Sequence, residues 1–211
     1  MIKSNDQETE SRILDAAREV FLRRGTAGAR MAEIAEEAGV NQALLHYYFR
    51  SKAGLAEAVF QRAARELFPP VLRTLASEAP LEEKVREVVR IELDTLQRNP
   101  FLPGYVLSEL NHHPERVGQF VESMTGVQLD TVAPRMFDRL GAQIDEAVAA
   151  GELRPIAAEQ FVINLLSLCI FPFAARPLLV AVMGMDDDAF GAMIERRKTE
   201  LPEFFLRGLR P

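Results

Sequence analysis

The stretch that most restricts how this chain can fold is residues 30–55, RMAEIAEEAGVNQALLHYYFRSKAGL. Met31, Ile34, Ala35 and Ala38 fall at i, i+3, i+4 and i+7, which is one face of a helix. Gly39 follows the last of them. Glycine takes positive φ without a Cβ penalty and so closes helices. Asn41 can then cap a second helix, because its side-chain oxygen accepts from the free N–H groups of the next turn. Two short helices around a tight glycine turn form a helix-turn-helix, whose second helix lies in a DNA major groove where the motif reads DNA.

The second helix, NQALLHYYF, carries the relevant chemistry. If Leu45 points inward, a rotation of about 100° per residue brings Phe49 back to within about 40° of it. Ala43, His46 and Tyr47 then point outward, with Gln42 at the exposed N-terminal end. Gln can pair bidentately with adenine, Ala43 and Leu44 can meet a thymine methyl, and His46 and Tyr47 can reach phosphate oxygens. The same residues also fit an interhelical connection in an ordinary bundle, with aromatic rings half buried. Lys52 adds a separate point. It sits in the first turn of a helix opened by Ser51, where a cation is unfavourable unless an anion is bound nearby.

From about Ser11 to Val59 the chain resembles the N-terminal domain of the tetracycline-repressor (TetR) family of bacterial transcription regulators. The resemblance rests on ILDAAREVFLRRG, IAEEAGV, the YYF ending of the second motif helix, and the Ser-Lys opening of the next. It implies an all-α fold: an N-terminal three-helix helix-turn-helix DNA-binding domain, then a C-terminal helical ligand-binding and dimerisation domain. It also implies that Gln42, Ala43 and Leu44 approach bases, while His46, Tyr47, Tyr48 and Lys52 contact phosphates or pack beside them. Two positions depart from the family pattern. Ala29-Arg30 stands where Thr or Ser often caps the second helix, so Arg30 is a candidate phosphate contact. Ala53-Gly54 stands where an acidic residue is common.

A chain of 211 residues, 48% hydrophobic, can bury one large core or two smaller ones. The net charge of −6 looks wrong for a DNA binder until its distribution is considered. Residues 1–68 hold ten basic and ten acidic side chains; the rest hold fifteen and twenty-one. A neutral N-terminal part with no strongly basic patch predicts modest nonspecific affinity and reliance on base contacts and dimerisation. The single cysteine, Cys169, excludes an intramolecular disulfide and a cysteine-rich zinc site. No metal or cofactor is expected. The polar start, MIKSNDQETES, lacks the apolar run of a signal peptide, so the expected location is the cytoplasm.

Periodicity predicts a first helix from about Glu8 to Arg24, closed by Gly25, and a fourth ending at Pro69-Pro70. The domains expected are a helix-turn-helix unit over 1–55, a connector helix to about 68, and a helical regulatory unit over 69–211. In the latter, Val85, Val88, Val89, Glu92 and Leu96 mark one amphipathic helix, ended by Asn99-Pro100. A shorter helix is expected from Pro103 to Leu110. His112 and His113 then read as a surface pair, since adjacent helical residues diverge by about 100° and chelate poorly. A long helical run is expected from Glu115 to Ala150, kinked at Pro134.

Residues 161–185, FVINLLSLCIFPFAARPLLVAVMGM, carry one charge, Arg176, and are apolar all round. Such a helix either spans a membrane or is buried on every side. Asn164, Ser167, Pro172, Pro177 and the absence of basic flanks argue against a membrane. Burial on every side predicts that one face packs on its own domain and another on a second subunit. Asp186–Asp188 open the last helix, and the two final helices can build a four-helix bundle across a twofold axis, as they do in the resembled family. Phe161, Leu165 and Leu168 on the first, and Phe190, Ile194, Leu201 and Phe205 on the second, are the interface candidates. Phe101, Tyr105, Met124, Phe137, Phe171 and Phe173 are candidates for a pocket, although such residues at helical spacing also make ordinary core. The partners expected are double-stranded DNA, a second copy of the chain and, by resemblance, a small apolar effector. Two other readings stay open: a helical adaptor protein, and an all-α enzyme using His112, His113 or Cys169. No nucleophile, metal or phosphate-loop motif supports the enzyme.

Overall fold

Apolar residues recur at three- and four-residue spacing along most of the chain, and the secondary structure that results is helix alone. The structure, a computed structural model, describes residues 2–112, 122 and 129–211, with side chains for 6–107, 122 and 133–211. Among the described residues there are ten helices and no strand. In chain order they are α1 (Ile2–Gly28), α2 (Met31–Glu37), α3 (Gln42–Phe49), α4 (Lys52–Leu75), α5 (Leu81–Arg98), α6 (Leu102–His112), α7 (Leu129–Ala149), α8 (Ala158–Ala174), α9 (Arg176–Met183) and α10 (Asp187–Gly208). They divide into two compact units, Met1–Ala64 and Arg65–Pro211.

In the first unit, Ile13, Ala17, Val20 and Phe21 of α1 are buried, as are Ile34 and Ala35 of α2, Leu45 and Phe49 of α3, and Leu55 and Val59 of α4. Ion pairs from Arg23 to Glu37 (2.5 Å) and from Arg24 to Glu33 (3.5 Å) fasten the outer sides of α1 and α2. The first helix is longer than periodicity suggests. Its extra length lies at the N-terminal end; Gly25 leaves helical geometry (φ 66°, ψ 164°) and breaks α1 where the sequence places its end, with one further turn to Gly28 beyond the kink. The polar N-terminal turns are held instead by tertiary contacts, such as Tyr48 to Asp6.

The second unit is built around α5, which buries Val85, Val88, Val89, Leu93 and Leu96 and packs against α8 and α10. Three expectations are corrected in this region. The connector helix continues through Pro69-Pro70 to Leu75. Each proline removes one N–H donor and crowds the turn before it, while burial of Leu67, Val71 and Leu75 holds the helix together. The short helix runs to His112. Residues 161–185 do not form one helix buried on every side: Arg176 opens a second helix, and α8 and α9 meet at 69°. Among the described residues no single helix is long and apolar enough to cross a membrane, and this bent pair meets that test only jointly, by length and composition. Residues 113–121 and 123–128, with His113 and much of the expected 115–150 run, lie outside the described residues.

Candidate nucleic-acid interface

The turn between α2 and α3 follows from two residues. Gly39 holds φ 64°, which any Cβ would strain, and the Asn41 side chain accepts from the Leu44 N–H at 2.8 Å. That cap starts α3 at Gln42 and so fixes which residues point outward. Leu45 and Phe49 are buried, Leu44 and Tyr48 half-buried, and Gln42, Ala43, His46 and Tyr47 exposed. Tyr47 leaves 78% of its surface open, an unusual exposure for so large a ring. Arg30, also exposed, occupies the N-cap of α2 without a capping side-chain bond. It satisfies none of that helix's free N–H groups and leaves its guanidinium on the surface.

The far end of α3 is set by a second, tighter turn. The Ser51 N–H donates to the Phe49 carbonyl at 2.7 Å, closing a γ-turn around Arg50 at φ 62°, ψ −43°. Arg50 is the non-glycine residue at positive φ among the described residues, in a conformation that costs on the order of 1–3 kcal/mol. His46 braces the turn, with its Nδ1 and the Arg50 carbonyl oxygen 3.0 Å apart, so Nδ1 carries the proton and Nε2 is left facing outward. Ser51 then caps α4 by accepting from the Gly54 N–H at 3.1 Å. At Gly54 a Cβ would stand 2.4 Å from the Phe49 carbonyl oxygen, so α3 and α4 approach as closely as they do because that side chain is absent.

Besides His46, two of the phosphate candidates already have protein partners. Lys52 Nζ donates to the carbonyls of Ala27 (2.9 Å) and Ala29 (3.2 Å), neutralising the electron-rich end of α1. An ammonium has three N–H donors, so one remains for another acceptor. Tyr48 donates its hydroxyl proton to Asp6 Oδ1 at 3.0 Å, and its ring meets Tyr47 edge-on at 5.3 Å. Burial, and after it the Asp6 hydrogen bond, hold the Tyr48 phenol above the usual tyrosine range.

This geometry has a known counterpart. Residues 13–59, which hold most of α1, all of α2 and α3 and the start of α4, match the tetR family of bacterial regulatory proteins. The chain's first unit carries the TetR-family N-terminal domain. Over 92 residues the chain is 35% identical to the HTH-type transcriptional activator FasR of Mycolicibacterium smegmatis, covering 44% of this chain and 42% of that protein. Over 57 residues it is 40% identical to the HTH-type transcriptional regulator TtgR of Pseudomonas putida, covering 27% of each. The chain thus spans less than half the length of these relatives. The TetR-family regulator PfmR from Thermus thermophilus aligns in structure with a TM-score of 0.64 at 18% identity, over 94% of this chain and 99% of that one, so the likeness in fold extends beyond the first unit.

In the second unit the expected interface and pocket need correction. Phe161 packs edge-on against Phe205 at 5.1 Å, and Phe173 against Phe190 at 5.9 Å. Arg176 covers the Phe190 ring at 4.9 Å. Leu165, Ile194 and Leu201 are equally enclosed, and only Leu168 is half-open. Six of the seven interface candidates are therefore core of their own chain. The apolar surface that α8 and α9 leave exposed is Ile163, Phe171, Leu178, Val182 and Met183, with Phe204 exposed on α10. Periodicity could not separate these two faces, because the segment is apolar on both.

The pocket candidates do not converge on one cavity. Phe173 is core, Phe171 is exposed, Phe101, Tyr105 and Phe137 are half-buried, and Met124 lies outside the described residues. A concavity of about 920 Å³ lies elsewhere, between the first turn of α5, the end of α7 and the end of α10; Leu81, Ala147, Leu153 and Leu206 are among its apolar lining, and Glu82, Glu146 and Arg210 among its charges. Two charges on α5 are buried: Glu92, which periodicity places on the apolar stripe, and Lys84, which it does not. Lys84 donates to the Leu75 carbonyl (2.8 Å) and to Gln143 Oε1 (2.6 Å), and burial followed by the nearby Arg139 lowers its pKa. Glu92 is 3% exposed, with Oε2 unpartnered. Burial raises its carboxyl to about 8 against a hydrogen bond from Cys169, whose own thiol is pushed up by burial and by Glu92. The available signal was a charged residue inside an apolar stripe. No group of His, Cys, Asp and Glu able to hold a metal ion occurs among the described residues.

Proposed function

We propose that the protein is a DNA-binding transcriptional regulator, acting as a homodimer on a near-palindromic operator and released from it by a small apolar effector held in the second unit. The observation that carries this reading is α3. Its two large apolar anchors, Leu45 and Phe49, are sealed inward, while Gln42, Ala43, His46 and Tyr47 stand exposed together on the other side. An eight-residue helix fits the major groove, which is about 12 Å wide. Gln42, Ala43 and Leu44 at its N-terminal end read base edges, and His46, Tyr47, Tyr48, Arg30 and Lys52 serve the phosphates on either side. Lys52 uses its remaining N–H for this, with its other two donors engaged on α1.

Dimerisation supplies the second reading helix. The exposed face of α8 and α9, including Ile163, Phe171, Leu178 and Val182, is the surface assigned to the second copy, because burying it recovers roughly 25 cal/mol for each Å² of apolar area removed from water. An effector that prefers one separation of the reading heads shifts operator affinity by its differential affinity for the two states and no more. Repression follows if the operator overlaps a promoter.

Duplex binding and its salt dependence test this directly. Lys52→Ala is expected to weaken all sequences about equally and lower the salt slope by about one, whereas Gln42→Ala costs roughly 1–3 kcal/mol and relaxes specificity at one position. Equal losses with unchanged slopes contradict the two roles. An adaptor using the α8–α9 face would bind no duplex at low salt.

A further inference from the structure

Tyr48 and Asp6 are 42 positions apart, and their contact is exposed. Asp6 lies in the N-terminal turns of α1, ahead of residue 13, where the family match begins. Nothing in the core of the first unit requires this pairing: the ring of Tyr48 is already seated between Tyr47 and Phe49, and the hydroxyl is its only polar atom. That hydroxyl has a single proton to give. A carboxylate oxygen and a phosphodiester oxygen are acceptors of the same kind and charge, and both prefer short, charge-assisted bonds. The Asp6 carboxylate therefore holds the proton that a DNA phosphate alongside α3 would take, and its charge repels that phosphate. Glu10, one helical turn further along the same face of α1, adds to the negative field at the phenol.

We propose that Asp6 is a built-in phosphate surrogate: it occupies Tyr48 in the free protein, must be displaced when duplex DNA docks on α3, and thereby sets the affinity for DNA from within the reading unit. The inference rests on the DNA-binding reading above. The N-terminal turns of α1 act as a competitor tethered in place, so its effective concentration at Tyr48 is fixed and independent of sequence. The consequence is uniform weakening of binding across duplexes, which lowers operator and nonspecific affinity by the same factor and leaves their ratio to the base contacts.

The experiment compares the full-length wild type with Asp6→Ala, Glu8→Ala, Tyr48→Phe and the Asp6→Ala/Tyr48→Phe double variant, by fluorescence anisotropy on a labelled mixed-sequence duplex of about 30 base pairs at about 50 mM salt. Glu8→Ala removes one carboxylate from the same arm and measures the general effect of charge. Asp6→Ala is expected to bind about threefold to tenfold tighter than wild type, clearly exceeding Glu8→Ala, and the excess is expected to vanish in the Tyr48→Phe background. Equal gains in Asp6→Ala and Glu8→Ala, or an excess over Glu8→Ala that survives loss of the Tyr48 hydroxyl, overturn the surrogate role while leaving DNA binding intact. If wild type and every variant fail to bind the duplex, the DNA-binding reading itself falls, and the inference with it.

Discussion

Replacing Glu92 by Gln keeps the shape of a buried side chain and removes its titration, which makes its effect calculable. The carboxyl has its value raised from 4.5 to about 8 in the folded chain. Below about pH 4.5 both folded and unfolded states are protonated, and burial carries no ionisation cost. Between 4.5 and 8 the unfolded chain gives up a proton that the native state keeps, so native stability falls by about 1.4 kcal/mol for each pH unit. Above about 8 both states are ionised and the loss levels off. At pH 7 the accumulated cost is about 3 kcal/mol, a large share of the roughly 5–15 kcal/mol that holds a typical domain together. The assay is urea denaturation of wild type and Glu92→Gln at several pH values from about 5 to 8, at one fixed protein concentration because self-association contributes to the midpoint. Titrating groups that do not touch Glu92 cancel in the difference between the two curves. The advantage of the Gln variant is expected to grow steadily across that range. A difference that stays constant with pH would refute the protonated, buried Glu92.

Other substitutions test the reading unit and its frame. Gly54→Ala puts a Cβ 2.4 Å from the Phe49 carbonyl and is expected to cost about 2 kcal/mol or more, read by thermal denaturation. Gly141→Ala, where nothing lies within 4 Å, is expected to gain roughly 0.5–1 kcal/mol from helix propensity. Arg50→Gly relieves the positive φ of the γ-turn and is expected to stabilise the chain by about 1 kcal/mol in the same assay. Asn41→Ala removes the cap on α3 and is expected to cost about 1 kcal/mol.

The reading unit was legible because its determinants are local. Gly39 and Asn41 act on their own backbone and on residues three positions away, so the turn and the outward face of α3 follow from spacing. The γ-turn at Arg50 was not legible, since positive φ at an arginine has no sequence signal, nor was the need for Gly54, which reflects where the Phe49 carbonyl lies. Tertiary contacts decided what periodicity left open. Pro69 and Pro70 looked like an end of helix, yet buried Leu67, Val71 and Leu75 carry α4 past them. In α8, Phe161 and Ile163 are both apolar, and only the position of Phe205 determines that the first is sealed while the second faces outward. Aromatic residues assigned separately to a pocket and an interface, Phe173 and Phe190, turn out to pack on each other.

Selection of duplexes from a random-sequence pool by the full-length protein tests the central claim most directly. The account predicts enrichment of an inverted repeat whose half-sites lie one helical turn, about 34–36 Å, or a multiple of it apart, with Gln42→Ala relaxing one position in each half. No enrichment, together with no binding to any duplex at low salt, would contradict it.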